Sequence, residues 1–295
     1  MLKTFFEENN IKYLENESLK KHTTFKVGGE AKFIALPSDC EQAVVLLRFL
    51  KANDIKYYIL GKGSNVIFRD EGFDGVIVKT ANLQKIEYID DETVYAGAGV
   101  QLSTICKNLQ EHSLKGLEFC YGIPGNVGGG LFMNAGAYGG EICSAVCEVE
   151  YIDENCEVKK IGVQDCDFSY RHSVFQGKDW FILGCKFKLT KGDSGQILSF
   201  MEDIMQRRVS KQPLDKPSAG SSFKRPVGYF AAALIEECGL KGCSIGGAQV
   251  SEKHSGFIIN KGDATCADIV ALAEHVEKVV LEKTGVTIEK EMIIV

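Results

Sequence analysis

Between residues 119 and 140 the chain reads FCYGIPGNVGGGLFMNAGAYGG, with eight glycines in its last twenty residues. Glycine loses the most backbone entropy on folding and brings no side chain to a core. So dense a cluster points to a surface where backbone N–H groups approach a bulky anionic ligand. A flexible linker is the competing reading. Linkers are polar and repetitive, whereas Ile123, Val127, Leu131, Phe132 and Met133 interleave with these glycines. A second glycine segment, GKGSN (Gly61, Lys62, Gly63, Ser64, Asn65), follows an apolar strand pattern at residues 57–60. Taken alone, GKGSN also suits a tight turn. It fails the dinucleotide fingerprint, because Val66 occupies the third glycine position and strand-like residues follow in place of a helix. No GxxxxGK[ST] loop is present. Two separate glycine loops remain, residues 61–65 and 122–129. Contributed by adjacent domains, they would suit a long ligand with a pyrophosphate at its centre.

The elements around these loops predict an α+β or mixed α/β protein in three parts. At 295 residues the chain is long enough for two or three packed units. The first part, residues 1–80, carries a helix at 38–53 with a Ser38–Glu41 capping box and a face of Val44, Leu47 and Leu50. Strands follow at 57–60, 66–68 and 76–78. The second part, residues 81–195, is β-rich, with strands at 94–96, 146–152 and 180–189 and one helix at 102–112. A polar break at 191–195 closes it. In the third part, residues 196–295, Ile197, Phe200, Met201 and Ile204 form a helix face. A helix at 229–238 stops at Gly239. Thr265 caps another, with Ile269, Leu272, Ala273, Val276 and Val280 as its stripe and Gly285 as its end. A last strand is expected over 286–295, and it can return to the glycine-loop region.

Composition narrows the function. Net charge is −6 and the pI about 5.5, so nucleic acid is a poor partner and any anionic ligand must meet locally placed cations. Eleven cysteines with no CxxC pair, and an N-terminus without a signal-like apolar core, predict a cytoplasmic chain with reduced thiols. No apolar run reaches the roughly 20 residues of a membrane helix, so no membrane insertion is expected. Five histidines without paired spacing predict no metal site.

The order of HTTFKVGG (22–29), ILGKGSNVIFRDEGFDGVIV (59–78), GIPGNVGGGLFMNAGAYG (122–139), YRHS (170–173), AGSSFKRP (219–226) and IEKEM (288–292) resembles the UDP-N-acetylenolpyruvoylglucosamine reductase family. The likeness spans essentially the whole chain. It implies a three-part FAD-binding flavoprotein of the PCMH/vanillyl-alcohol-oxidase type with a C-terminal α/β substrate domain. It also implies a reaction of peptidoglycan precursor synthesis: hydride passes from NADPH through FAD to an enolpyruvyl UDP-sugar, giving UDP-N-acetylmuramate. The segment between Arg171 and Ser221 is short, as in the subclass without an extra tyrosine-bearing lid. Two positions depart from the family pattern. Gly130 stands where alanine is expected, and His172 occupies a variable position to which no role is given.

The resemblance carries roles onto matching residues. Ser221 corresponds to the proton donor, with the adjacent Ser222 open as an alternative from spacing alone. Arg171 corresponds to the arginine that holds the substrate carboxylate. Glu291 corresponds to the C-terminal glutamate, with Glu289 on the same strand face as its alternative. FAD, bound tightly and non-covalently, is expected on Gly61, Lys62, Gly63, Ser64 and Asn65 and on Gly122, Ile123, Pro124, Gly125, Val127, Gly128 and Gly129. The UDP-sugar is expected on Arg171, Lys224 and Arg225, with Tyr138, Gln249, His254 and Asn260 in a second rank. Monomer and dimer both remain open. The competing readings are a flavin oxidase of the same superfamily and a nucleotide-binding protein without catalysis.

Overall fold

The computed structural model describes all residues from Met1 to Val295. It divides into two compact units, and neither is a single run of chain. One comprises Met1–Glu15, Phe33–Lys62 and Gly75–Gln206; the other comprises Asn16–Lys32, Gly63–Asp74 and Arg207–Val295. These are not the three consecutive parts expected from composition. Strand pairing, which composition does not report, decides membership. Residues Tyr57 to Leu60 run parallel to Val76 to Lys79 in the first unit. Val66 and Ile67 instead pair with Ile293 and Ile294, so this stretch joins the C-terminal segment.

The first unit is built on a five-stranded antiparallel sheet. Its order is Val158–Gly162, Val146–Ile152, Phe181–Lys188, Thr93–Gly97 and Ile86–Tyr88. One face carries buried Val94, Ala96, Val149, Cys185 and Phe187. The other presents Glu87, Glu148, Glu150, Lys160 and Lys186, the alternation of a sheet with one solvated face. The helix Cys40–Ala52 packs Ala43, Leu46, Leu47 and Leu50 into the same core. Its cap lies one residue later than expected: Asp39, not Ser38, accepts from the Gln42 N–H at 2.8 Å. A carboxylate at the positive end of a helix outcompetes a hydroxyl.

The second unit has its own core around the helix Cys266–Thr284, whose buried stripe is Ile269, Leu272, Ala273, Val276 and Val280. Thr265 and Asp268 close a reciprocal capping box at its start, and Gly285 ends it with φ +70°. Beside it lies a three-stranded sheet of Ser244–Ile245, Ala248–Val250 and Ile258–Asn260. The expected final strand over 286–295 shrinks to Ile293–Ile294 plus one bridge at Lys290. In the helix Ser194–Lys211, whose Ile197, Met201 and Ile204 are buried in the first unit, Phe200 is 48% exposed because it lies at the edge of the apolar stripe.

The glycine-rich stretch is partly a helix, Val127–Phe132. Several of its glycines are packed. A Cβ on Gly128 would stand 2.8 Å from the Ala98 Cβ, and one on Gly140 would run into the Phe119 ring. At Gly130 a Cβ would meet side-chain tips alone, Ile142 Cδ1 at 3.1 Å, which can rotate away, and the two Leu102 Cδ atoms at an ordinary 3.5 Å. Gly130→Ala is therefore expected to stabilise the protein by about 0.5–1 kcal/mol. Gly128→Ala is expected to destabilise it by about 1–3 kcal/mol through overpacking. Chemical-denaturation midpoints of the two variants check both signs.

Candidate active site

In the first unit the structure brings the two glycine loops side by side. The Gly129 N lies 3.9 Å from where a Cβ on Gly61 would stand, and a Cβ on Gly129 would have nothing within 4 Å. The bare backbone at these two glycines leaves room for a ligand. The row of N–H donors is shorter than the sequence suggested. Ile123, Gly125, Val127 and Gly128 donate to the carbonyls of Cys120, Ile123, Val100 and Ala98, so those four N–H groups are spent inside the protein. Lys62 is exposed at this loop. The ammonium of Lys79 is pushed below its usual range, first by burial and then by the charge of Lys62.

Arg171 and Tyr138 sit on two tight hairpin turns of the same unit. Ser169 and His172 exchange backbone hydrogen bonds, which puts Arg171 at the turn with φ +56°. Ala137 faces Gly140 across the other turn, where Tyr138 and Gly139 have φ +51° and +87°. Positive φ at both turn residues is the hairpin geometry that glycine and a few others tolerate. One side chain ties the turns together. The fully buried Asn134 amide donates to the Ser169 carbonyl and to Glu141 Oε2, both at 3.0 Å, and its oxygen accepts from the Cys143 N–H. Ser173 Oγ donates to the Phe132 carbonyl at 2.7 Å, anchoring the YRHS turn to the end of the glycine stretch. The Arg171 Nη2 donates to the Gly136 carbonyl, and its guanidinium lies over the Tyr170 ring.

In the second unit Asn65 holds the C-terminal segment from both ends. Its Nδ2 donates to the Glu291 carbonyl at 3.1 Å, and its carbonyl accepts from the Ile293 N–H at 2.9 Å. The Glu291 N–H in turn donates to the Ser222 carbonyl at 2.9 Å, and Phe223 bridges Lys290 antiparallel. Ser221, Asn65 and Glu291 therefore occupy neighbouring extended segments. Thr24 adds a further tie, accepting nothing at Oγ1 but donating from it to the Ser218 carbonyl, while its N–H donates to the Gly63 carbonyl.

The two serines differ sharply. Ser222 is fully buried, and its Oγ accepts from the Ile258 N–H at 2.9 Å; Ser221 is exposed. The two glutamates differ as well. Glu289 is exposed and pairs with Lys224 at 3.3 Å, whereas Glu291 is half-buried. Arg225 lies over the Phe230 ring, 4.9 Å from its centroid. Asn260 is committed to the fold: its Nδ2 donates to the Phe25 carbonyl, and its Oδ1 accepts from the N–H groups of Gly262 and Ala264. Gln249 donates to the Gly242 carbonyl at 3.2 Å. His254 accepts from the Gly256 N–H at Nδ1 and lies edge-on to Phe257, and burial lowers its pKa.

A nucleotide cofactor fits the cradle. Its open glycines are accompanied in the same unit by a buried polar atom without a partner, Asn126 Oδ1. Such orphans are rare in finished interiors and mark places where a polar ligand belongs. Gly61, Lys62 and Gly129 are the residues that would hold its diphosphate in the first unit.

Comparison with known proteins bears on the same residues. Residues 31–162 match an FAD binding domain, and residues 212–295 match the C-terminal domain of UDP-N-acetylenolpyruvoylglucosamine reductase. The chain is 46% identical over 294 residues to the UDP-N-acetylenolpyruvoylglucosamine reductase of Caldanaerobacter subterraneus subsp. tengcongensis, covering 100% of this chain and 96% of that one. It is 45% identical to the Clostridium novyi reductase, covering 100% and 95%. The crystal structure of the Thermus caldophilus reductase matches with a TM-score of 0.81 at 30% identity, over 96% of this chain and 98% of that one. A variant of berberine bridge enzyme shares the fold alone, with a TM-score of 0.52 at 15% identity over 65% of this chain and 43% of that one. Fold and cradle together define an FAD-dependent oxidoreductase. Within that class, the chain belongs to the UDP-N-acetylenolpyruvoylglucosamine reductase family.

Motif reading missed Asn134, whose signal was present as the buried asparagine of NAGAYG, and Asn65's structural duty. The paired serines give a direct check. Ser222→Ala strips the partner from the buried Ile258 N–H and is expected to cost about 1–3 kcal/mol. Ser221→Ala, at an exposed position, is expected to stay within about 0.5 kcal/mol of wild type. Urea titration of both variants reads the contrast.

Proposed function

We propose that Ser221, Arg171 and Glu291 are the catalytic residues of this family's reaction, the NADPH-dependent reduction of UDP-N-acetylglucosamine enolpyruvate to UDP-N-acetylmuramate in peptidoglycan precursor synthesis. FAD supplies the hydride chemistry when bound. The chain's own residues manage placement, charge and the proton. In this reading the Arg171 guanidinium holds the substrate carboxylate through two parallel hydrogen bonds and takes up the negative charge that grows there. The Ser221 hydroxyl gives its proton to the α-carbon as hydride reaches the β-carbon. A serine is a weak acid, so it serves only because the acceptor is a carbanion-like centre. Glu291 completes the charge network beside Ser221. Lys224 and Arg225 bind the diphosphate, and Tyr138, Gln249 and His254 remain second-rank substrate contacts. Asn260 stays in that rank with one amide N–H left, since Nδ2 gives one bond to the Phe25 carbonyl and Oδ1 accepts from Gly262 and Ala264.

The observation that carries this assignment is the contrast between an exposed Ser221 and a Ser222 whose hydroxyl is spent, on a segment hydrogen-bonded to Glu291. The same reading includes a cytoplasmic location for the enzyme, as the family resemblance implies. All eleven cysteines stand as free thiols, and no helix is long and apolar enough to cross a membrane.

Anaerobic stopped-flow absorbance tests the roles. Ser221→Ala is expected to bleach with NADPH at nearly the wild-type rate. Recovery of flavin colour on adding the enol ether should slow by about 10²–10⁴-fold, the usual contribution of a positioned acid. Equal slowing of both half-reactions would remove Ser221 from the acid role. Wild-type colour that returns only in air would replace the reductase with an oxidase.

A further inference from the structure

One polar group in the cradle is used by neither the fold nor the proposed chemistry. Thr80 is only 4% exposed, and its Oγ1 has no hydrogen-bond partner. That oxygen lies 4.0 Å from where a Cβ on Gly61 would stand, and the Gly129 N lies 3.9 Å from the same point. The Thr80 carbonyl is occupied in a structural turn, accepting from the Leu83 N–H at 2.9 Å in the helical turn Thr80–Asn82. The hydroxyl thus lies close to Gly61 and Gly129, where the glycine loops leave room. Burying a hydroxyl without a partner is costly, and valine would fill the same space without that cost. An acceptor entering the gap would supply the missing partner.

We propose that Thr80 binds the FAD of this family through its side chain, the hydroxyl donating a hydrogen bond to an oxygen of the nucleotide. No glycine motif announces this residue. It sits at the end of the strand Phe73–Lys79 and reaches the loops only because Lys79 pairs with Leu60, next to Gly61.

The two states of the protein make opposite demands on this hydroxyl, which gives the test its sign. Full-length wild type, Thr80→Val and Thr80→Ser are purified as holoproteins. Flavin release on dilution is followed by the rise in FAD fluorescence, and thermal unfolding is recorded for the flavin-stripped chains. Thr80→Val is expected to weaken FAD binding by about tenfold, the value of a hydrogen bond to a charged acceptor. Its stripped form should unfold at or above the wild-type temperature, because an unsatisfied buried hydroxyl has gone. Thr80→Ser, which keeps the hydroxyl, should hold FAD within about twofold of wild type. The proposal is overturned if Thr80→Val retains FAD like wild type. It is equally overturned if the valine chain fails to fold or loses stability in step with its flavin, since Thr80 would then be a packing residue. A wild-type protein that takes up no FAD is a different result, and overturns the cofactor assignment itself.

Discussion

The candidate active site in the second unit depends on one clasp. Asn65 gives its side-chain amide to the Glu291 carbonyl and receives the Ile293 N–H on its own carbonyl, so a five-residue glycine segment and the chain's C-terminal end are locked in register. Parallel pairing of Val66 and Ile67 with Ile293 and Ile294 extends the clasp by two residues. Only after this register is set can the Glu291 N–H meet the Ser222 carbonyl, and only then does Ser221 lie on the segment alongside Glu291. The sequence separation between Asn65 and Glu291 is 226 residues. Loop-closure entropy grows slowly with length, so a few well-formed bonds suffice to close such a span once the surrounding core is in place. The helix Cys266–Thr284 supplies that core, and Asp70 fastens it to the same region by accepting from the Cys266 and Ala267 N–H groups at 2.9 and 3.1 Å.

In the first unit glycine does two jobs that one motif conceals. Gly128 and Gly140 are small because Ala98 and Phe119 leave no space, whereas Gly61 and Gly129 are small because open space must remain. The packed glycines fix where the open ones stand. Asn134 then sets the two turns that carry Arg171 and Tyr138 against this scaffold, and left-handed backbone at both residues is held by hydrogen bonds around them. Strained backbone persists where its surroundings over-determine it, as they do here.

Much of this was legible in the sequence where the signal is local. The strand at 146–152, the Thr265 cap, the Gly285 stop and the two glycine loops are written in short-range patterns of hydropathy and turn chemistry. What was not legible depends on pairing between distant segments. The unit boundaries follow strand partners, the last strand is short because only Ile293 and Ile294 find a parallel neighbour, and the duty of Ser222 is set by Ile258. The choice between adjacent serines shows the limit well. Spacing places them on opposite faces of an extended segment but does not say which face is buried. The role of each residue, by contrast, came from the family resemblance and not from periodicity.

Charge gives the last link between fold and function. A chain of net charge −6 repels dianionic nucleotides at long range, so capture must rely on short-range cations. The first unit places Lys79 near Lys62, and burial followed by the charge of Lys62 lowers the pKa of Lys79. The second unit offers Lys224, half-exposed and tethered to Glu289 by an exposed ion pair. Such a pair is worth at most about 1 kcal/mol, so Glu289 can orient the lysine without competing seriously with a diphosphate. A half-buried lysine whose charge is disfavoured and a lysine on a weak tether are both placed to gain from a nearby anion.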